Sequence, residues 1–434
     1  MNRFANRGKE DTLLPRVIRA AAFCSISCFT LSISLGACAK REIDPGGVWR
    51  GHVKTHSGEQ VAFTLDVKRQ GDRIVGALVN GNERNPSTGG SLAGNTLTLQ
   101  FNYYDAELVA TIEGDDLRGT FNRQWRKEIL KRELTAKRGV IIPTNSTAPG
   151  SGIGGEWVMK VGDAPNQRYW RAAFEEKGSE VRGTIIPVSG DWGELVGSYE
   201  SGELKLNRFD GINARIFRAK LTSQGTLEGI VDLGSRNPVQ KVVAERIDAK
   251  NKANVAALPD PNTYTRMSKP TEPFLFSFPD LDGKMISSTD ARFKDKVVLV
   301  TITGSWCPNC HDEAPVMQEF YNLFKADGLE VVALAFEYTG EKQRDMEQLK
   351  IFANRHGLTY PILLAGTTEE GDAQRKMPQL VNFAAYPTTI YIGRDGLVKH
   401  IHAGFEGKAT GERFTKLKAE MEDRIKKLLS DNDV

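Results

Sequence analysis

The most constraining stretch of this 434-residue chain is a β-branched run, Val297-Val298-Leu299-Val300-Thr301-Ile302-Thr303, that leads into Gly304-Ser305-Trp306-Cys307-Pro308-Asn309-Cys310. A near-continuous apolar run of this kind reads as a strand buried on both faces. Residues 312–325, which follow, have helical character, so the two cysteines fall at a strand-to-helix junction. There the free N–H groups and the helix dipole favour a thiolate on Cys307. Cys310, one turn later, can close a small disulfide with it, and Pro308 in the first turn has no N–H to lose. The competing reading is half a zinc site. It needs two more ligands, while the mature chain offers only Cys38 as a further cysteine and His311 would point elsewhere. Neither a metal nor a cofactor is expected.

The elements after the cysteines alternate. Residues 329–336, 360–364, 388–392 and 399–403 read as strands, and 341–356, 372–381 and 411–429 as helices. Such alternation implies a central sheet covered by helices. This α/β domain is expected over 273–434, after a linker at 251–272 that is spaced by Pro259, Pro261 and Pro270.

Trp306-Cys307-Pro308-Asn309-Cys310, followed by Glu313 and Pro315, resembles the W-C-x-x-C-x-x-E-x-P motif of thioredoxin-like proteins of the TlpA/ResA type. The resemblance spans roughly residues 270–430 and includes Tyr386-Pro387-Thr388-Thr389 in the place of the family's cis-proline loop, with Gly393-Arg394-Asp395-Gly396 as the turn after it. It implies an exported, membrane-tethered thiol-disulfide oxidoreductase. Cys307 would be the attacking thiol and Cys310 the resolving thiol, with Glu313 adjusting thiol acidity. Pro387 would be cis and present backbone to an extended substrate, with Trp306 and Tyr386 shaping the docking surface. Pro315 would kink the helix. The chain departs from thioredoxin itself at Thr301, where that protein has a buried aspartate. Proton handling is then expected to fall to Glu313 or Glu337. His311 is either a source of positive charge near the thiols or a solvated helix residue.

The N-terminus carries Arg3, Arg7, Lys9, Arg16 and Arg19 before a charge-free stretch from Ala20 to Ala37. This stretch is the length of a signal segment or a short membrane span. Leu35-Gly36-Ala37-Cys38 resembles a bacterial lipobox, which implies a signal peptide at 1–37, lipidation of Cys38 and a tether at 38–45. The alternative is an uncleaved anchor helix. Ala39, rather than aspartate, after Cys38 leans toward the outer membrane in a host that has one. Cleavage would remove Cys24 and Cys28, so Cys307 and Cys310 would have no competing free thiol.

Between tether and α/β domain the pattern is short alternating runs bounded by glycine and polar turns, which read as half-buried strands. Gly46-Gly47-Val48-Trp49 returns as Gly154-Gly155-Glu156-Trp157, and Leu117-Arg118-Gly119 as Leu227-Glu228-Gly229, at offsets of 108 and 110 residues. Lys131–136 matches 241–246 loosely as a closing strand. Two tandem antiparallel sandwich or barrel modules are expected, at 46–140 and 154–250 with a linker at 141–153, or one larger barrel made from both. Trp49, Trp125, Trp157, Trp170 and Trp192 are expected as core or groove aromatics, and His52 and His56 as a surface pair.

Composition narrows the function. Lys and Arg number 58 against 55 Asp and Glu, a net charge of +3 with no long basic block, so nucleic acid is not an expected partner. The leading expectation is a reductase of protein disulfides, fed by a membrane electron donor, with apocytochrome c as one possible client and so a role in cytochrome c biogenesis. The rivals are a disulfide oxidase or isomerase, and a lipid-anchored binding protein with an accessory redox domain. A peroxidase is disfavoured, because the Pro-x-x-x-Thr-x-x-Cys context of peroxiredoxins is absent, while a broader antioxidant activity is expected of the thiol couple.

Overall fold

A computed structural model describes residues 43–139, 151–234, 238–248, 252–383 and 385–431. The expected signal peptide and Cys38 lie outside the described residues, as does most of the 141–153 linker. Among the described residues no helix is long and apolar enough to cross a membrane.

Two β modules precede the α/β domain, as expected. The first, from Gly47–Lys54 to Glu128–Arg138, is a nine-stranded antiparallel sheet that stays open. The second, from Gly155–Val161 to Gln240–Arg246, is a closed eight-stranded barrel. The repeat is built into both. Trp49 and Trp157 are fully buried, and each indole Nε1 donates to the carbonyl four residues back, Pro45 and Ile153, at 3.0 Å. Each is capped by an arginine from the closing strand, Arg138 or Arg246, with the guanidinium 4.4 Å from the ring centre. The closing strands correspond as Ala136 with Ala244, which pair with Leu117 and Leu227 respectively. This corrects the looser alignment of 131–136 with 241–246 by two residues. The first sheet fills its open mouth with its neighbour: Phe209, Ile212, Ala214 and Ile216 from the barrel wall enter its core. Asn80 stitches the two modules together through a pair of 3.0 Å bonds to the Phe209 backbone.

The C-terminal domain has a five-stranded mixed sheet. Val297–Thr303 is central, flanked by the parallel strands Leu329–Glu337 and then Ile362–Thr367 on one side. On the other side lie the antiparallel strands Thr388–Ile392 and Val398–Ala403. All seven residues of Val297–Thr303 are buried, the two-sided burial its composition predicts. Val297 and Leu299 face the helices Pro308–Phe324, Lys342–His356 and Glu412–Ser430, whereas Val298, Val300 and Ile302 face a second core with Phe274, Phe276 and Phe293. Two expectations shift. The helix placed at 372–381 is only Asp372–Lys376, because Leu380–Val381 pairs with Arg266–Met267. That pairing draws part of the 251–272 linker onto the domain, where the Pro261 carbonyl also accepts from Ala403 N.

Candidate active site

The strand Val297–Thr303 ends at the site, and the helix Pro308–Phe324 begins there. Cys307 is the N-cap and Pro308 the first helical residue, as the sequence suggests. Cys307 and Cys310 are disulfide-bonded, with Cα atoms 5.2 Å apart. Cys310 N donates to Cys307 Sγ at 3.2 Å, the helix-start arrangement that supports negative charge on that sulfur. Opposite them the Tyr386-Pro387 bond is cis, and the Tyr386 carbonyl oxygen stands 3.4 Å from Cys307 Sγ. Cys307 is only 4% exposed and Cys310 1%, so access to the sulfurs is narrow.

One turn beyond Cys310, Glu313 is buried against the sheet. Thr301 and Thr389 are direct cross-strand partners, and each hydroxyl donates to one Glu313 carboxylate oxygen at 2.6 Å. Burial pushes this carboxyl up to about 7, against the lowering effect of the two hydroxyls. Thr301 thus holds the buried acid in place, where thioredoxin would carry an acid itself. Pro315 lies within the same helix and is exposed.

A second buried acid holds the approach to the cysteines. Glu337, at the end of Leu329–Glu337, accepts from Ser305 N and Ser305 Oγ, both at 2.7 Å. Burial raises its carboxyl to about 8. His311 Nε2 meets the Ser305 carbonyl at 2.7 Å, and its Nδ1 meets His356 Nε2 at 2.8 Å. Both expectations for His311 are corrected. The ring is buried among Tyr103, Tyr104, Phe352 and His356, and burial drives its basicity far down. It is neither solvated nor a cation beside the thiols.

The two β modules wall the site. On one side Trp306 donates from Nε1 to the Phe336 carbonyl at 2.8 Å, stacks on Tyr338 with centroids 4.8 Å apart, and meets Tyr386 edge-on at 5.3 Å. Tyr338 in turn meets Trp125 of the first sheet at 4.5 Å. On the other side the barrel segment after Ile186 lies on the helix start. Asn309 Nδ2 donates to the Ser189 carbonyl at 3.1 Å and the Phe405 carbonyl at 3.3 Å, and Gly190 forms a parallel bridge with Phe405. Gly190 has φ +105°, and a Cβ there would stand 2.0 Å from the Phe405 oxygen. Gly404 has φ +80°, donates to the Pro387 carbonyl at 2.7 Å, and a Cβ on it would lie 2.2 Å from the Val188 oxygen.

The structure therefore gathers Trp306, Cys307, Pro308, Cys310, Tyr386 and Pro387, with Glu313 behind them. Sequence reading missed Trp125, Tyr338 and the 187–191 segment at the site. The available signal was weak: Trp125 precedes the basic pair Arg126 and Lys127 at the end of a strand, but Trp170 likewise lies between Arg168 and Arg171. His52 and His56 are exposed on the first module, away from this network.

Residues 272–401 match the AhpC/TSA family. Over 138 residues the chain is 33% identical to the thiol-disulfide oxidoreductase ResA of Geobacillus kaustophilus, covering 32% of this chain and 71% of that protein. The thioredoxin-like protein YneN of Bacillus subtilis is 31% identical over 150 residues, covering 35% and 74%. Among solved structures, a thioredoxin-family thiol:disulfide interchange protein from Chlorobium tepidum is 23% identical and covers 38% of this chain and 100% of its own, with a TM-score of 0.29. StoA of Bacillus subtilis is 21% identical, covers 35% and 100%, and has a TM-score of 0.25. A cysteine pair capping a helix at the end of a central strand, faced by a cis-proline loop, defines the class: a thioredoxin-fold thiol-disulfide oxidoreductase. Within that class the chain belongs to the ResA-type family.

Proposed function

We propose that this chain is an exported, membrane-tethered reductase of protein disulfides that works through Cys307 and Cys310. The observation that carries the direction is Glu313, buried one turn from Cys310 with the Thr301 and Thr389 hydroxyls as its partners among the described residues. Once ionised in that low-dielectric setting, its charge disfavours a neighbouring thiolate. This destabilises the reduced couple and makes it a better electron donor.

In the forward reaction the Cys307 thiolate attacks one sulfur of a client disulfide. The client S–S bond breaks, a Cys307–client disulfide forms, and the departing client thiolate takes up a proton. Cys310 then gives up its proton and attacks Cys307, releasing the second client sulfur as a thiol. Two electrons pass to the client and the Cys307–Cys310 disulfide is left, to be reduced again by a dithiol donor at the membrane. Glu313 accepts the Cys310 proton. Pro387 and Tyr386 present backbone to an extended client, Trp306 shields the sulfurs, and Pro315 bends the helix behind them. Lipid on Cys38 would hold the chain to the envelope, with the outer membrane favoured. An apocytochrome c with oxidised haem-attachment cysteines is a client of suitable chemistry.

A second reading, a disulfide oxidase or isomerase, draws support from the Cys310 N–H that faces Cys307 Sγ and stabilises its thiolate. The reduction potential decides between them. Equilibration of the full chain with glutathione buffers should place the couple near thioredoxin, about −270 mV, for a reductase, and near about −120 mV for an oxidase.

A further inference from the structure

We propose that the turn joining Asp116–Trp125 to Glu128–Arg138 is a client-docking element, and that it takes an extended, acidic polypeptide segment next to the client's cysteine. This rests on the thiol-disulfide reading of the site but concerns a surface contributed by the first β module. Three observations place it. The rings of Trp306, Tyr338 and Trp125 form an unbroken strip, with successive centroids 4.8 and 4.5 Å apart, leading away from Cys307. Trp306 and Trp125 are both half-buried, so the strip has an open face. On the other flank the Gly190–Phe405 bridge and the Asn309 bonds hold the barrel against the helix start, with no comparable aromatic strip there among the described residues. The strip thus offers a client a continuous aromatic track from the sulfurs to the turn.

The charge of that side selects the client. Arg126 and Lys127 are exposed at the turn, and the Arg123 guanidinium lies 4.9 Å from the Trp125 ring centre and 6.0 Å from that of Tyr338. Arg123 is 6% exposed, and its Nε and Nη1 have no hydrogen-bond partner among the described residues. Its neighbour in charge is a second buried arginine, Arg132, whose basicity Arg123 helps to lower. Among the described residues no carboxylate forms an ion pair with Arg123, Arg126 or Lys127. The buried Arg123 charge adds to the positive potential of the turn without itself meeting a ligand. Carboxylates on a bound segment pair with the exposed Arg126 and Lys127, while Ile129, 60% exposed in the next strand, offers an apolar contact.

The test separates docking from redox chemistry. Two fluorescent 12-residue peptides, each with its cysteine replaced by serine and flanked by either glutamates or lysines, are titrated by polarisation against the full chain. The acidic peptide should bind at least about tenfold more tightly, and the preference should shrink as salt rises. Arg126→Glu with Lys127→Glu should reduce or reverse it, Arg126→Gln with Lys127→Gln should give an intermediate value, and Lys241→Glu on the barrel should leave it unchanged. Equal binding of the two peptides, or a preference that survives the double charge reversal, would overturn the docking proposal. Exchange of the wild-type chain with a small aromatic disulfide is followed in parallel. Its failure would count against the redox reading and leave the binding result to stand by itself.

Discussion

His356 donates its Nε2 proton to His311 Nδ1 across 2.8 Å. The assignment follows from the other side of the His311 ring. The Ser305 carbonyl can only accept, so His311 Nε2 carries the proton and Nδ1 is left as the acceptor. Burial keeps both rings neutral, which makes this tautomer assignment the consistent one, and the pair ties the helix Lys342–His356 to the residue two before Cys307.

Titration should report this neutrality. Burial lowers His356 to about 4 and His311 further. Because both sit below the ordinary histidine value of about 6.5, the unfolded chain binds more protons as pH falls. Their contribution to stability is complete above about pH 6.5 and is lost as pH falls toward about 4. The NMR signals of His311 and His356 should hold their neutral shifts at pH 6. His356→Phe leaves His311 Nδ1 without a donor and should cost about 1–3 kcal/mol in denaturant unfolding.

Glu313 behaves in the opposite sense. Its folded value of about 7 lies above that of an unfolded glutamate, so the folded state holds a proton that the unfolded state gives up. Its stabilising contribution is full below about pH 4.5 and disappears as pH rises through about 7. Glu337, at about 8, extends the same loss to higher pH. In Glu313→Gln the stability-pH curve should flatten between pH 5 and pH 7. The couple should also become more oxidising by about 30 mV at pH 8, where the native carboxylate is charged.

Contact between barrel and cysteine helix makes a further prediction. Gly190→Val places a side chain where Phe405 O and Asn309 Nδ2 already stand, 2.0 and 2.2 Å from an added Cβ. The barrel must then shift off the helix start. Stability should fall by about 1–3 kcal/mol, and the reduced Cys307 should be alkylated faster by iodoacetamide than in the native chain.

The paired tryptophans test the repeat. Trp49→Phe and Trp157→Phe each remove an indole donor from a buried carbonyl and a ring beneath an arginine. Both should destabilise, by about 1–3 kcal/mol each, and by similar amounts if the two modules are energetic equivalents.

Much of this site could be read from the chain because its chemistry is local. Trp306, Cys307, Pro308, Cys310 and Glu313 fall within one strand end and two helical turns, where spacing alone fixes their neighbours. The Val297–Thr303 run likewise declared its burial through composition. The β modules were visible through alternation and a repeated Gly-Gly-x-Trp, but not that one would close and the other stay open. That difference depends on barrel residues such as Phe209 and Ile212 filling a neighbour's core. His311 was misread for a related reason. Its helix position is compatible with solvent, and it is buried by residues distant in sequence, Tyr103 and Tyr104 about two hundred residues earlier and Phe352 and His356 on another helix. Trp125 reaches Tyr338 through the same long-range packing.

The central claim is that Cys307 attacks and Cys310 resolves, and a trapping measurement tests it most directly. Reduced Cys310→Ala and Cys307→Ala chains are each mixed with a disulfide-bonded peptide and analysed by mass spectrometry under non-reducing conditions. Cys310→Ala should accumulate a one-to-one mixed disulfide on Cys307, while Cys307→Ala, with Cys310 only 1% exposed, should remain unmodified on the same timescale. Equal or faster adduct formation on Cys310, or no adduct on Cys307, would contradict the account.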